Sequence, residues 1–245
     1  MNRLIIVFSC LLISLCANAK SELLDIQSFS KASEFTGVKI SPTGKYLAVI
    51  TQPEGKNALM ILDTATFKVL HAIHFPGNAQ VGNYYWVNEE RIVLAKEYLK
   101  GWKDHPEYHG ELFGVNADGS QGEYLVGYQG ERQTGTRIKK ATPVLGTSYV
   151  LDPLVENKRK MLVLTIPWTA ANEPHTIVYE VDVYRGSRKL VTRSPSRMAS
   201  FLTDHEGNVR VSASTDDYIN PKIYIRPKSG GEWEELNLKD VSYSD

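Results

Sequence analysis

Side chains able to do chemistry are scattered along this chain, and their spacing decides what each could do. Ser120 has the most nucleophile-like setting, in Gly119-Ser120-Gln121-Gly122. An acyl-transfer serine of the α/β-hydrolase type needs a G-x-S-x-G elbow between a strand and a helix. Ser120 has the wrong spacing and lies in a hairpin turn. Gly37 to Lys45 has the outline of a phosphate loop, but Lys39 stands where glycine is required and Tyr46 where Ser or Thr is. His71 and His74 are three apart in a strand pattern, so they point to opposite faces and share no metal. His105 and His109 have helical spacing, yet Pro106 between them makes the segment a loop. Asp204-His205-Glu206-Gly207-Asn208 has some flavour of a calcium loop without its later bidentate glutamate, and reads as a β-turn. Arg137-Ile138-Lys139-Lys140 and Lys158-Arg159-Lys160 read as solvated faces. The motifs therefore predict no catalytic residue, no metal site and no cofactor.

The elements that carry these residues begin with an export signal. Met1-Asn2-Arg3 is a short positive start and Leu4 to Leu15 an apolar run of 12 residues. A bilayer span needs roughly 20. Ala17-Asn18-Ala19 follows with the small-x-small pattern of signal peptidase, so cleavage is expected after Ala19. Acylation at Cys16 is disfavoured by bulky Leu15 before it. Removing 1–19 from 245 residues leaves 226, without Cys10 or Cys16 and hence without any thiol or disulfide. The expected location is the periplasm or outside a bacterial cell, with no membrane anchor after cleavage.

The balance of 28 basic and 28 acidic groups gives no electrostatic case for nucleic acid as a partner. With 23% charged and 42% apolar residues the composition is that of an ordinary globular chain.

After the signal the pattern is one of short β-rich runs separated by turn residues. They fall into four groups of four. The first is 37–41, 45–51, 57–63 and 68–74, and the second 81–87, 91–97, 110–116 and 123–127. The third is 143–150, 160–166, 175–182 and 189–193, and the fourth 198–203, 208–214, 222–226 and 232–236. The third run of each group ends alike, at Asp63, Asn116, Asp182 and Arg226. Those spacings suit propeller blades, roughly 40–50 residues each and longer with insertions. The second runs are apolar on both faces, as in Tyr46-Leu47-Ala48-Val49-Ile50 and Met161-Leu162-Val163-Leu164. A strand between two neighbouring blades has no wet side. The predicted fold is an all-β propeller of four-stranded blades, about four of them in an incomplete ring. The blades cover about 35–75, 81–127, 143–193 and 198–237. A two-sheet sandwich is the alternative, and it would show cleaner alternation and no repeat.

Tight turns rich in Gly, Asn and Asp join first to second and third to fourth strands. Both sets fall on one face, so the longer loops 98–109, 128–142, 167–174 and 215–221 emerge on the other. Function concentrates on such loops.

Several phrases carry a family resemblance. Tyr85-Trp86-Val87-Asn88-Glu89-Glu90-Arg91-Ile92-Val93-Leu94, Val115-Asn116-Ala117-Asp118-Gly119 and Tyr179-Glu180-Val181-Asp182-Val183-Tyr184-Arg185-Gly186 resemble the N-terminal propeller of prolyl oligopeptidase-family serine peptidases. The branch they resemble most is the acylaminoacyl- or dipeptidyl-peptidase-like one. Thr203-Asp204-His205-Glu206-Gly207-Asn208-Val209-Arg210 fits the same branch. Ile40-Ser41-Pro42-Thr43-Gly44-Lys45-Tyr46-Leu47-Ala48 is similar to a blade-opening phrase shared with TolB-like propellers.

The resemblance implies a non-catalytic propeller that caps a C-terminal α/β-hydrolase domain and restricts entry to short peptides. The Ser-Asp-His triad would lie in that domain, outside these 245 residues, so no catalytic residue is carried over. Substrate contacts would come from the long-loop face: Glu97, Asp216 and Asp217 as carboxylates for a peptide amino terminus, and Trp102 as an aromatic for a side chain. The alternative function is a self-standing periplasmic TolB-like propeller that binds a protein partner.

Overall fold

The computed structural model describes residues 33–128, 144–170, 173–216, 219–228 and 230–237, and the expected signal at 1–19 lies outside them. Four antiparallel meanders of four strands follow one another within Phe35–Asp245. Blade 1 comprises β1 (Phe35–Ile40), β2 (Tyr46–Thr51), β3 (Ala58–Asp63) and β4 (Val69–Ile73). Blade 2 comprises β5 (Ala79–Trp86), β6 (Arg91–Tyr98), β7 (Glu107–Asn116) and β8 (Glu123–Val126). Blade 3 comprises β9 (Gly146–Asp152), β10 (Lys160–Pro167), β11 (His175–Asp182) and β12 (Arg188–Arg197). Blade 4 comprises β13 (Ser200–Thr203), β14 (Val209–Asp216), β15 (Asn220–Ile225) and β16 (Glu234–Glu235). This is the all-β propeller arrangement of about four blades that the repeat predicts.

One backbone hydrogen bond recurs in every blade and fixes its two tight turns side by side. The amides of Thr64, Ala117, Val183 and Arg226 donate to the carbonyls of Lys45, Glu90, Arg159 and Arg210, at 2.7 to 3.1 Å. Aspartates shape these turns by accepting local N–H groups. Asp63 accepts from Thr66, Asp118 from Ser120, and Asp182 from both Tyr184 and Arg185, all at 2.9–3.0 Å. In blade 4 Asp204 accepts from Glu206 and Asn208 and pairs with Arg210, which makes its loop the β-turn expected from the sequence.

Apolar strand residues meet between blades, not within them. Ala48, Leu59 and Ile61 of blade 1 pack on Tyr84, Ile92 and Leu94 of blade 2. Val93 and Leu112 of blade 2 pack on Met161 and Val163 of blade 3. Leu162 and Val178, on the other side of blade 3, pack on Phe201 and Val209 of blade 4. The doubly apolar runs of β6 and β10 are thus explained, since alternate residues serve different neighbours. Among the described residues no such core joins blade 4 to blade 1. The outward side of blade 1 leaves Val38, Ile40 and Val69 at least half exposed, and that of blade 4 leaves Leu202 at 64%.

Several details differ from the sequence reading. Thr215 and Asp216 end β14, and Asn220 and Pro221 begin β15, where a loop 215–221 was expected, because their backbones continue the ladder. β7 begins at Glu107, three residues before the expected 110, because a bulge opposite Lys96 and Glu97 carries the pairing onward. Gly110 lies in that bulge at φ +87°, where a Cβ would fall 2.4 Å from the Ser148 amide of blade 3. β12 continues through Pro195 to Arg197, which an outermost strand tolerates because one side has no ladder to satisfy. The repeating amide bond places Arg226 level with Thr64, Ala117 and Val183, one residue away from the alignment with Asp63, Asn116 and Asp182.

Candidate functional site

Glu97 sits near the end of β6 that leads into the long loop. Gln80, on the adjacent inner strand and only 5% exposed, donates its side-chain amide to Glu97 Oε2 at 3.2 Å. The Gln80 carbonyl oxygen accepts the Asn57 amide of blade 1 at 3.3 Å. Room for the carboxylate comes from Gly82, since a Cβ there would lie 2.4 Å from Glu97 Oε1. Across the ladder Glu97 pairs with Tyr108, whose hydroxyl donates to the Ser148 carbonyl of blade 3. Burial pushes the Tyr108 phenol well above its ordinary range. Glu97 is therefore a half-buried carboxylate between a tie to blade 1 and a tie to blade 3.

Trp102 stands in the loop between β6 and β7 with 79% of its surface exposed. The loop is anchored at its base, where the Leu99 amide donates to the Asn78 carbonyl at 2.7 Å and Asn78 Nδ2 returns a bond to the Leu99 carbonyl. At the other end Lys100 and Lys103 both pair with Glu107, and they hold its carboxyl at about 2. Glu97 and Trp102 share this end of blade 2, and no hydrogen bond joins them among the described residues. Asp216 closes β14, with its backbone opposite Asn220. Asp217 lies outside the described residues.

Two further aromatics belong to the long-loop end, and the sequence reading missed both. Trp168, directly after β10, is 46% exposed and donates Nε1 to Thr147 Oγ1 at 2.9 Å. Tyr128 meets its ring edge-on at 6.3 Å. The only sequence signal was an indole at the start of the expected loop 167–174. Exposed rings of this kind can stack apolar groups.

The tight-turn face holds a cavity of about 480 Å³ between blades 1, 2 and 3. Its polar groups bond one another across the blades. Asn88 Nδ2 donates to the Lys158 carbonyl at 2.6 Å and to the Tyr184 hydroxyl at 3.2 Å, while Glu89 accepts the Thr43 amide at 2.9 Å. This is a joint between blades, with the Asn88 and Thr43 donors already occupied. Among the described residues no three His, Cys, Asp or Glu side chains converge as a metal site would require.

No family model matches the chain, and no curated protein matches it. Solved structures match its fold. Dipeptidyl peptidase 4 of Porphyromonas gingivalis superposes with a TM-score of 0.54 at 12% identity, over 84% of this chain and 33% of that one. Acylaminoacyl peptidase of Pyrococcus horikoshii gives 0.51 at 12% identity, over 86% and 33%. An oligogalacturonate lyase in complex with manganese gives 0.53 at 13% identity, over 88% and 57%. At such identities the likeness is one of fold. This chain spans little more than half the length of the lyase and a third of either peptidase. Its blades have the propeller architecture that these proteins share.

Proposed function

We propose that this chain is the non-catalytic N-terminal propeller portion of an exported prolyl oligopeptidase-family serine peptidase, gating a C-terminal α/β-hydrolase domain that cleaves short peptides. The observation that carries the reading is the pair of unmatched outward faces. Blades 1 and 4 each turn apolar side chains to water, as a segment of a larger ring would. The Trp86 phrase and the fold likeness to two peptidases support the same reading. On the long-loop face Glu97 would hold a peptide ammonium and Trp102 a side chain, with Asp216 and Asp217 as further carboxylates. Export rests on the Met1 to Ala19 pattern, and intact-mass measurement of the exported product should show a start at Lys20.

The reading frame after codon 245 tests the proposal. A G-x-S-x-G elbow roughly 250–300 residues onward is expected, given further blades of about 40–50 residues each and the hydrolase strands before the elbow. A frame that closes shortly after Asp245 would overturn it in favour of a self-standing binding propeller.

A further inference from the structure

The four blades share one backbone hydrogen bond, so equivalent positions can be compared. The amide donor of that bond is Thr64, Ala117, Val183 and Arg226 in turn. Ala117 is 3% exposed in the core between blades 1 and 2, and Val183 is fully buried between blades 2 and 3. Blade 4 places a guanidinium where its siblings bury methyl groups. Arg226 is nonetheless only 6% exposed. Its guanidinium lies 4.0 Å above the Trp233 ring, and its buried Nε has no hydrogen-bond partner among the described residues. A buried cation with an unused N–H donor is costly unless an anion meets it.

Arg226 lines a cleft of about 210 Å³ between blades 3 and 4. Leu190, Val191 and Val209 form an apolar wall, and Lys189 supplies a second cation. Glu180, also on the wall, is held by Lys160 at 2.6 Å. Glu232 acts on Arg226 only through its field, against the burial that lowers the guanidinium pKa. Three cations and two carboxylates leave one positive charge in and around the cleft. That surplus suits a monoanion better than a doubly charged phosphate. A planar guanidinium fork fixed on an indole suits the two oxygens of a carboxylate.

We propose that the cleft between blades 3 and 4 is a carboxylate subsite, in which Arg226 and Lys189 hold the anion while Leu190, Val191 and Val209 pack its aliphatic stem. It opens toward the tight turns, away from the long-loop face. The carboxylate can belong to a free short-chain acid or to the acidic side chain of a peptide, and both present the same chemistry.

Calorimetric titration of the purified chain distinguishes these sources. Valerate, a monocarboxylate, represents the free acid, acetyl-Ala-Glu-Ala-amide the side chain, and inorganic phosphate the competing anion. Saturable binding of valerate or the peptide, tighter than phosphate, is expected. Tighter valerate assigns a free acid and tighter peptide an acidic segment, and either upholds the subsite. Arg226→Lys keeps the charge but removes the fork, and should weaken binding about tenfold, as expected for loss of a charged hydrogen bond. Lys189→Ala alters an exposed residue and should weaken binding about threefold without disturbing the fold. No saturable heat from either carboxylate up to about 50 mM, well above a millimolar Kd, would overturn the proposal. So would unchanged affinity in Lys189→Ala, or binding that emerges only in Glu232→Gln, which would show that Glu232 already fills the site.

Discussion

The Tyr84 hydroxyl of blade 2 reaches into blade 1 and donates to the Ala48 carbonyl at 2.7 Å, with the Gly37 carbonyl also within its reach. Tyr84 is fully buried, and burial pushes its phenol well above the ordinary range. One side chain thereby ties two inner strands of one blade to the next.

Tyr84→Phe keeps the ring and removes this tie, leaving the buried Ala48 carbonyl without this donor. A loss of about 1–3 kcal/mol is expected. Urea denaturation followed by far-ultraviolet circular dichroism would measure it, and an unchanged midpoint would show that this hydroxyl contributes nothing to holding the two blades together.

The long-loop face should behave differently. Trp102→Ala removes an exposed ring and is expected to shift stability by less than about 0.5 kcal/mol. Glu97→Ala loses one bond from Gln80 and should cost about 1 kcal/mol. If these residues contact peptide, both variants should weaken binding of a short peptide with a free amino terminus far more than they weaken the fold. Thermal melts and peptide titration on the same samples separate the two effects, and parallel losses would mark Glu97 and Trp102 as structural.

Acid should loosen the tight turns. The carboxyls of Asp63, Asp118 and Asp204 are held below their ordinary value chiefly by hydrogen bonds from neighbouring side chains and amides. Burial pushes Asp182 up, but the Tyr184 and Arg185 amides and Arg159 outweigh it and leave it depressed. A depressed folded-state pKa gives stability that is complete above the unfolded value, near 4, and is lost as pH falls through the folded one. The urea midpoint is therefore expected to hold from pH 7 to 5 and to drop below pH 4. Asp182→Asn should flatten that drop. A midpoint that rises on acidification would reverse the sign of this linkage.

Much of the fold was legible because a blade is a local object. Four strands joined by short turns leave their alternation and turn residues in the order of the chain, as in Ser41-Pro42-Thr43-Gly44 before β2. The apolar faces of Met161-Leu162-Val163-Leu164 implied a strand between two neighbours, and both neighbours are present. What escaped depends on contacts between blades. Arg91, Lys96 and Arg226 look like ordinary charged residues, yet each is at least nine-tenths buried. Rings of Tyr184, Tyr124 and Trp233 cover them. Residue order does not show which ring comes to lie over which cation. Arg226 left one trace, as the residue that breaks the acid or amide ending of the third strands. Its position in the repeat was visible only through hydrogen bonds.

The outward faces give a prediction about solution behaviour. Purified residues 20–245 are expected to be β-rich and to self-associate through Val38, Ile40 and Val69 on one side and Leu202 on the other. Ile40→Lys combined with Leu202→Glu should weaken association at least tenfold, given about 1.5–3 kcal/mol for each buried aliphatic side chain. Sedimentation velocity over a concentration series would show it. A compact monomer with a sharp, reversible thermal transition would mean that the four blades close on themselves.

Active-site labelling of the native product bears most directly on the proposed function. An antibody against residues 20–245 isolates the protein as the cell makes it, and a fluorophosphonate probe reports an activated serine. A labelled species larger than the 27.5 kDa of this chain is expected. An unlabelled, stable product at or below that mass would contradict a peptidase propeller and leave a binding module in its place.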